Sequence, residues 1–177
     1  MVPEAPLEDT PAGRIPAGEG WYVLNARDAR WSVGGLGAFC NFEGEPRFDQ
    51  LGINLNIVQP GVSMTMYHWE SDQEDFLILS GEALLIVEGE ERPLKQWDFV
   101  HCPRGTSHAI VGAGDRPAVV LAVGARTAGE DRGAYVADEA ALRHGAGVEQ
   151  ETTSSKEAYA RFDPDEPTRY QEGWLPG

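Results

Sequence analysis

The chain has 177 residues and is 41% hydrophobic, enough for one packed domain with extra segments and too apolar to be disordered as a whole. Its formal net charge is −15, and so acidic a surface repels phosphate backbones and anionic headgroups, which argues against nucleic-acid and membrane-surface binding. Two cysteines, Cys40 and Cys102, stand far apart and in no CxxC, so neither a disulfide framework nor a thiolate metal cluster is expected.

Residues 1–20 are rich in Pro, Gly and Ala and lack the basic and apolar regions of a signal peptide; they read as a flexible or surface-packed arm. No apolar run approaches membrane-spanning length, so a cytoplasmic protein is expected. Trp21 to Leu24 reads as a first strand and Gly37 to Cys40 as a second. Leu51, Ile53, Leu55 and Ile57 alternate with smaller or polar residues, the period of a half-buried strand. After Pro60-Gly61, Val62 to Trp69 reads as a strand with Met64, Met66 and His68 on one face. Phe76–Leu79, Leu84–Val87, Trp97–Cys102, His108–Val111 and Ala118–Val123 follow, with turn residues between them. Short runs about ten residues apart are the pattern of a sandwich or barrel. The last fifty residues differ. Asp138 is placed to cap a helix ending at His144, and Ser154 with Glu157 has capping-box spacing for a helix reaching Phe162. Tyr170 and Trp174 are expected to pack the tail on the barrel or on a partner subunit.

His68 and Glu70 are two apart on a strand and leave the same face. Glu74 opens the next strand, and the turn at Pro103 and Gly105 delivers His108 to another. Imidazoles and carboxylates converging inside a barrel form a ligand set for a divalent first-row metal: Mn, Fe, Ni or Zn. Asp75 replaces Glu74 if the register slips by one. His101 alternates with Phe99 against Val100 and Cys102. Facing inward, it is a catalytic base or a neighbour of the metal ligands; facing outward, it is a surface histidine.

Two segments carry a family resemblance. Gly61-VSMTMY-His68-Trp69-Glu70-SDQ-Glu74-DFLILS-Gly81 and Trp97-DFVHC-Pro103-Arg104-Gly105-Thr106-Ser107-His108 resemble the two motifs of the cupin superfamily. Glu74-x6-Gly81 and Pro103-x-Gly105-x-x-His108 match fully. Glu70 stands where the family has its second histidine, Gly61 lies one residue further from His68, Trp97 replaces an opening glycine and Gly112 an asparagine. The resemblance implies an all-β, cupin-type jelly-roll barrel over residues 21–124, with the N-terminal arm before it and a C-terminal extension, 125–177, carrying two short helices. By position it implies metal ligation by His68, Glu70, Glu74 and His108. It implies small-molecule chemistry of the dioxygenase, isomerase, epimerase or decarboxylase kind. Beside a metal acting as Lewis acid, His101 or Glu70 is then expected to shuttle a proton. A non-catalytic sugar or metabolite binder and a barrel with a purely structural role are the alternatives. Exposed jelly-roll edges favour a homodimer.

Overall fold

The computed structural model describes residues 1–45, 47–127 and 133–176. Nearly all of its regular structure is antiparallel strand. β1 (Leu7–Thr10) and β2 (Gly13–Pro16) form a hairpin, so the N-terminal segment is ordered ladder rather than loose arm. Next come β3 (Arg30–Gly34), β4 (Gly37–Cys40), β5 (Leu51–Val58), β6 (His68–Glu70), β7 (Glu74–Ser80), β8 (Glu82–Val87), β9 (Glu90–Lys95), β10 (Phe99–Cys102), β11 (His108–Ala113), β12 (Ala118–Ala125) and β13 (Gly133–Tyr135). α1 (Glu139–Arg143), α2 (Ser155–Ala158) and β14 (Glu166–Arg169) complete the chain. No helix among the described residues is long and apolar enough to cross a membrane.

Two sheets face one another, as in a jelly roll. The seven-stranded sheet runs β10-β7-β12-β5-β4-β3-β14 and the five-stranded sheet β13-β6-β11-β8-β9. Alternation assigns their inner faces. Phe76 and Ile78, Val120 and Ala122, Val100 and Cys102 meet Leu85 and Ile110 from the opposite sheet in one buried cluster. The opposite phase of the seven-stranded sheet, Leu55, Ile57 and Val119, packs outward against Trp31. Trp31 is fully buried and donates its indole N–H to the Ala26 carbonyl at 2.8 Å. Trp174 and Tyr170 lie 5.1 and 6.1 Å from it, which places the tail on the barrel. On the far side, Ala140 and Ala141 of α1 cover Ile86 and Ala109.

Several expected elements take a different form. Trp21 to Leu24 is not a strand: Trp21 makes one isolated bridge, to Glu4, and Val23 is 80% exposed. Apolar residues there had no inner face to reach. Residues 62–67 run irregularly, and the strand starts only at His68. Ser63 Oγ donates to the Thr65 carbonyl at 2.6 Å, a local bond that competes with ladder pairing. The second helix has only four residues. Ser154 accepts at its N-terminus from the Glu157 amide, as the capping reading expects, but the Glu157 carboxylate accepts from Thr152 instead of returning to Ser154.

The strand expected from Trp97 begins at Phe99. Trp97 occupies the turn before it at φ 75° and is 66% exposed. Here the resemblance placed a glycine, and the backbone explains the preference, because a left-handed conformation costs a residue with Cβ about 1–2 kcal/mol. Trp97→Gly should therefore stabilise the protein by about 1 kcal/mol after the extra chain entropy of glycine is subtracted, raising Tm by roughly 2–4 °C. Thermal unfolding followed by circular dichroism measures this; an unchanged or lower Tm would show that the turn is not strained.

Candidate metal centre

Three strands and one turn build the centre. β6 carries His68 and Glu70 toward the space between the sheets, and β7 opens with Glu74. β11 opens with His108, whose backbone pairs in register with His68, so the two rings lie 5.1 Å apart. The turn before β11 is closed by the Thr106 amide donating to the Pro103 carbonyl at 3.1 Å. Gly105, at φ 80°, donates from its amide to the Glu70 carbonyl at 2.8 Å. Pro103-x-Gly105-x-x-His108 thus bends the chain, pins it to β6 and delivers the imidazole.

The hydrogen bonds fix which nitrogen faces the centre. His68 Nδ1 lies 2.7 Å from the Met66 carbonyl and His108 Nδ1 lies 3.0 Å from the Thr106 carbonyl. A carbonyl only accepts, so each Nδ1 carries the proton and each Nε2 points inward. Nε2 of His108 is 3.3 Å, and Nε2 of His68 3.6 Å, from Glu74 Oε2. Glu74 Oε2 and His108 Nε2 are both buried without a hydrogen-bond partner. Burial would raise the Glu74 carboxyl, but the two imidazoles outweigh it and hold it at about 2. Burial would lower the His68 ring, but Glu70 and Glu74 push it up to about 9. The His108 ring is likewise opposed by burial and raised to about 10 by the Cys102 sulfur and Glu74.

A divalent ion fits this arrangement. The His68, Glu74 and His108 ligand atoms all lie within 4.8 Å of one another. Two ligands about 2.1 Å from one ion sit roughly 3.0–3.4 Å apart, which matches the 3.3 Å contact and nearly matches the 3.6 Å one. A charge-assisted hydrogen bond would be shorter, at about 2.7–2.9 Å. Glu70 stands at the rim, its side chain 36% exposed and Oε1 3.7 Å from His68 Nε2. It is outside the three-residue group.

His101 is not part of this centre. It lies on the outer face of β10, 51% exposed at its side chain, with Nδ1 2.6 Å from Asp75 Oδ1. Its register partner Asp75 alternates with Glu74 and so also faces out, which removes the shifted register in which Asp75 would ligate. Sequence reading missed the aromatic wall from the C-terminal extension. Tyr135 of β13 pairs with His68 and stacks 5.7 Å from its ring, and Tyr159 meets Tyr135 edge-on at 5.6 Å. Gly133 permits that pairing, since a Cβ there would come within 1.9 Å of the Trp69 carbonyl oxygen. No periodicity in three residues, Gly133-Ala134-Tyr135, signals such a strand.

Residues 54–124 match the family model of the cupin domain. Comparison with proteins of curated function gives no match. Among solved structures, the chain resembles a sugar phosphate isomerase from a cupin superfamily, from Silicibacter pomeroyi, at 28% identity over 58% of this chain and 62% of that one, with a TM-score of 0.46. It resembles a protein from Acidithiobacillus ferrooxidans, provisionally assigned as a sugar phosphate isomerase, at 32% identity over 44% of this chain and 51% of that one, TM-score 0.43. The chain therefore spans less than two thirds of either protein. A Cupin 2 conserved barrel domain protein from Salinispora arenicola shares the fold, at 23% identity over 63% of this chain and 92% of that one, TM-score 0.50.

The raised imidazoles and lowered carboxyl set a pH window. The histidine contribution to metal-free stability is complete below pH 6.5 and fades as pH climbs through about 9 and about 10; the Glu74 contribution is complete above pH 4.5 and fades as pH falls toward about 2. A metal must displace both Nε2 protons, so its apparent affinity should rise by roughly a hundredfold per pH unit between pH 6.5 and 8.5. Calorimetric titration with Zn or Mn in buffers of different ionisation heat checks the release of about two protons; a pH-independent affinity would contradict the assignment.

Proposed function

We propose that this chain, whose residues 54–124 match the cupin domain model, is a cupin that holds one divalent first-row metal ion and acts on a small organic molecule, by dioxygenase, isomerase or decarboxylase chemistry. One observation carries the reading: a buried carboxylate oxygen and a buried imidazole nitrogen without hydrogen-bond partners, converging with a second imidazole. Leaving such groups unmatched costs about 1–3 kcal/mol each, and a cation answers both at once.

His68, Glu74 and His108 would hold the ion, and Glu70 would complete a two-histidine, two-carboxylate set that cancels its charge. When bound, the ion supplies a Lewis acid able to polarise a substrate oxygen. The protein's own groups supply the rest. Backbone carbonyls at Met66 and Thr106 keep both Nε2 lone pairs aimed at one point. Phe76, 5.2 Å from the His108 ring, and Tyr135 shield the centre from water. Glu70, on the exposed rim, would take or return a proton with the carboxylate oxygen that does not bind the ion. His101 has no part in this scheme.

Protein purified without a metal-binding tag should carry close to one equivalent of Mn, Fe, Ni or Zn by plasma mass spectrometry. His108→Ala should lose it while keeping the β-sheet circular dichroism spectrum, and Glu70→Gln should weaken retention about tenfold, as expected for a ligand of secondary weight. Metal-free protein whose His68→Ala and His108→Ala variants melt unchanged would refute the metal reading. Bound metal without turnover across carbonyl, catechol and sugar substrates under air would refute the catalytic part and leave a binding protein.

A further inference from the structure

A cavity of about 630 Å³ lies beside the metal centre, without any of its proposed ligands in the lining. One wall is the inner face of the seven-stranded sheet, at Asn54, Asn56 and Val58 of β5 and Phe39 of β4. The opposing wall comes from Met64 and Thr65 and from Tyr159 and Phe162 of the C-terminal extension. Tyr159 belongs to this wall and touches Tyr135, which in turn touches His68. Two aromatic rings thus stand in the contact path from the cavity to the imidazole.

Polar groups inside this cavity are short of partners. Asparagine is disfavoured in strands, yet Asn54 and Asn56 stand two apart on an inward face, in register with Ala122 and Val120. Asn56 Nδ2 reaches the Val120 carbonyl only at 3.5 Å, and Asn54 makes no side-chain hydrogen bond among the described residues. Thr65 Oγ1 is buried and has no partner. The rest of the inner lining is apolar. Charged residues occur on the extension side, and they are of both signs: Lys156, Asp163 and Asp165.

We propose that this cavity is a binding site, separate from the metal, for a neutral and largely apolar small molecule carrying a carbonyl or hydroxyl group. The volume is that of a ligand pocket, and a few polar groups on apolar walls are the usual way to orient one ligand. Two amides and a hydroxyl can donate to and accept from a neutral oxygen. They cannot compensate a buried ion, whose desolvation needs an opposite charge, and that excludes a charged headgroup at the inner end. The extension and the barrel each supply one wall, so the site exists only when the two are docked.

The test uses the full-length protein and the neutral, solvatochromic ketone 6-propionyl-2-(dimethylamino)naphthalene. Emission should shift to the blue with saturation at one probe per chain, equally in chelator-treated and metal-supplemented protein. Thr65→Val, which keeps the shape and removes the hydroxyl, and Asn56→Ala should each weaken the Kd about fivefold to tenfold. Phe99→Ser, on the exposed outer face, should leave it unchanged. Absence of binding, unchanged affinity in both cavity variants, or loss of binding in Phe99→Ser would overturn the proposal. Binding that vanishes with the metal would place the probe at the histidines and overturn it too. A chain that proves metal-free yet binds the probe as described would retain this site while losing the metal reading.

Discussion

Two imidazoles and a carboxylate meet in a largely apolar space between the two sheets, and the rest of the architecture serves that unfavourable meeting. Each ring spends its Nδ1 proton on a backbone carbonyl two residues earlier, at Met66 and at Thr106. That leaves both Nε2 atoms committed to the same point as Glu74 Oε2. Nothing apolar can relieve the resulting demand for positive charge; only protons or a cation can. In the raised basicity of the rings and the lowered carboxyl, the protein stores affinity for whichever arrives.

The surrounding sheets make this demand rigid. His68 and His108 are register partners across β6 and β11, and β7 brings Glu74 from the other sheet. Neither position can slip by one residue without turning every side chain on its strand to the opposite face. The same rule places Asp75 and His101 together outside, where they form a solvent-facing pair. Two adjacent acids, Glu74 and Asp75, therefore have unrelated environments because of strand parity alone.

Parity also explains what the sequence could and could not disclose. β5 was legible because Leu51, Ile53, Leu55 and Ile57 alternate without interruption, and the motif spacings around Glu74 and His108 located the centre. Alternation shows which residues share a face, not which face is inside, so His101 stayed ambiguous until the sheets were seen. β9, Glu-Glu-Arg-Pro-Leu-Lys, is almost wholly polar and holds a proline; it is an edge strand recognisable only through its pairing with β8. Trp21 to Leu24 shows the converse: an apolar run becomes a strand only where a partner and an inner face await it. β13 and β14 are too short for a period and owe their form to β6 and β3.

The lateness of β13 in the chain gives its pairing with β6 a meaning in time. Tyr135 lies 67 positions beyond His68 in the numbering, and the ring it presses against belongs to a strand made much earlier during synthesis. A nascent barrel ending at β12 already contains all the candidate ligands, but it lacks the aromatic wall that encloses them. Until β13 has been synthesised there is no Tyr135 ring to lie against His68. The growing polypeptide therefore passes through an interval with an open centre, and docking of its final third seals it.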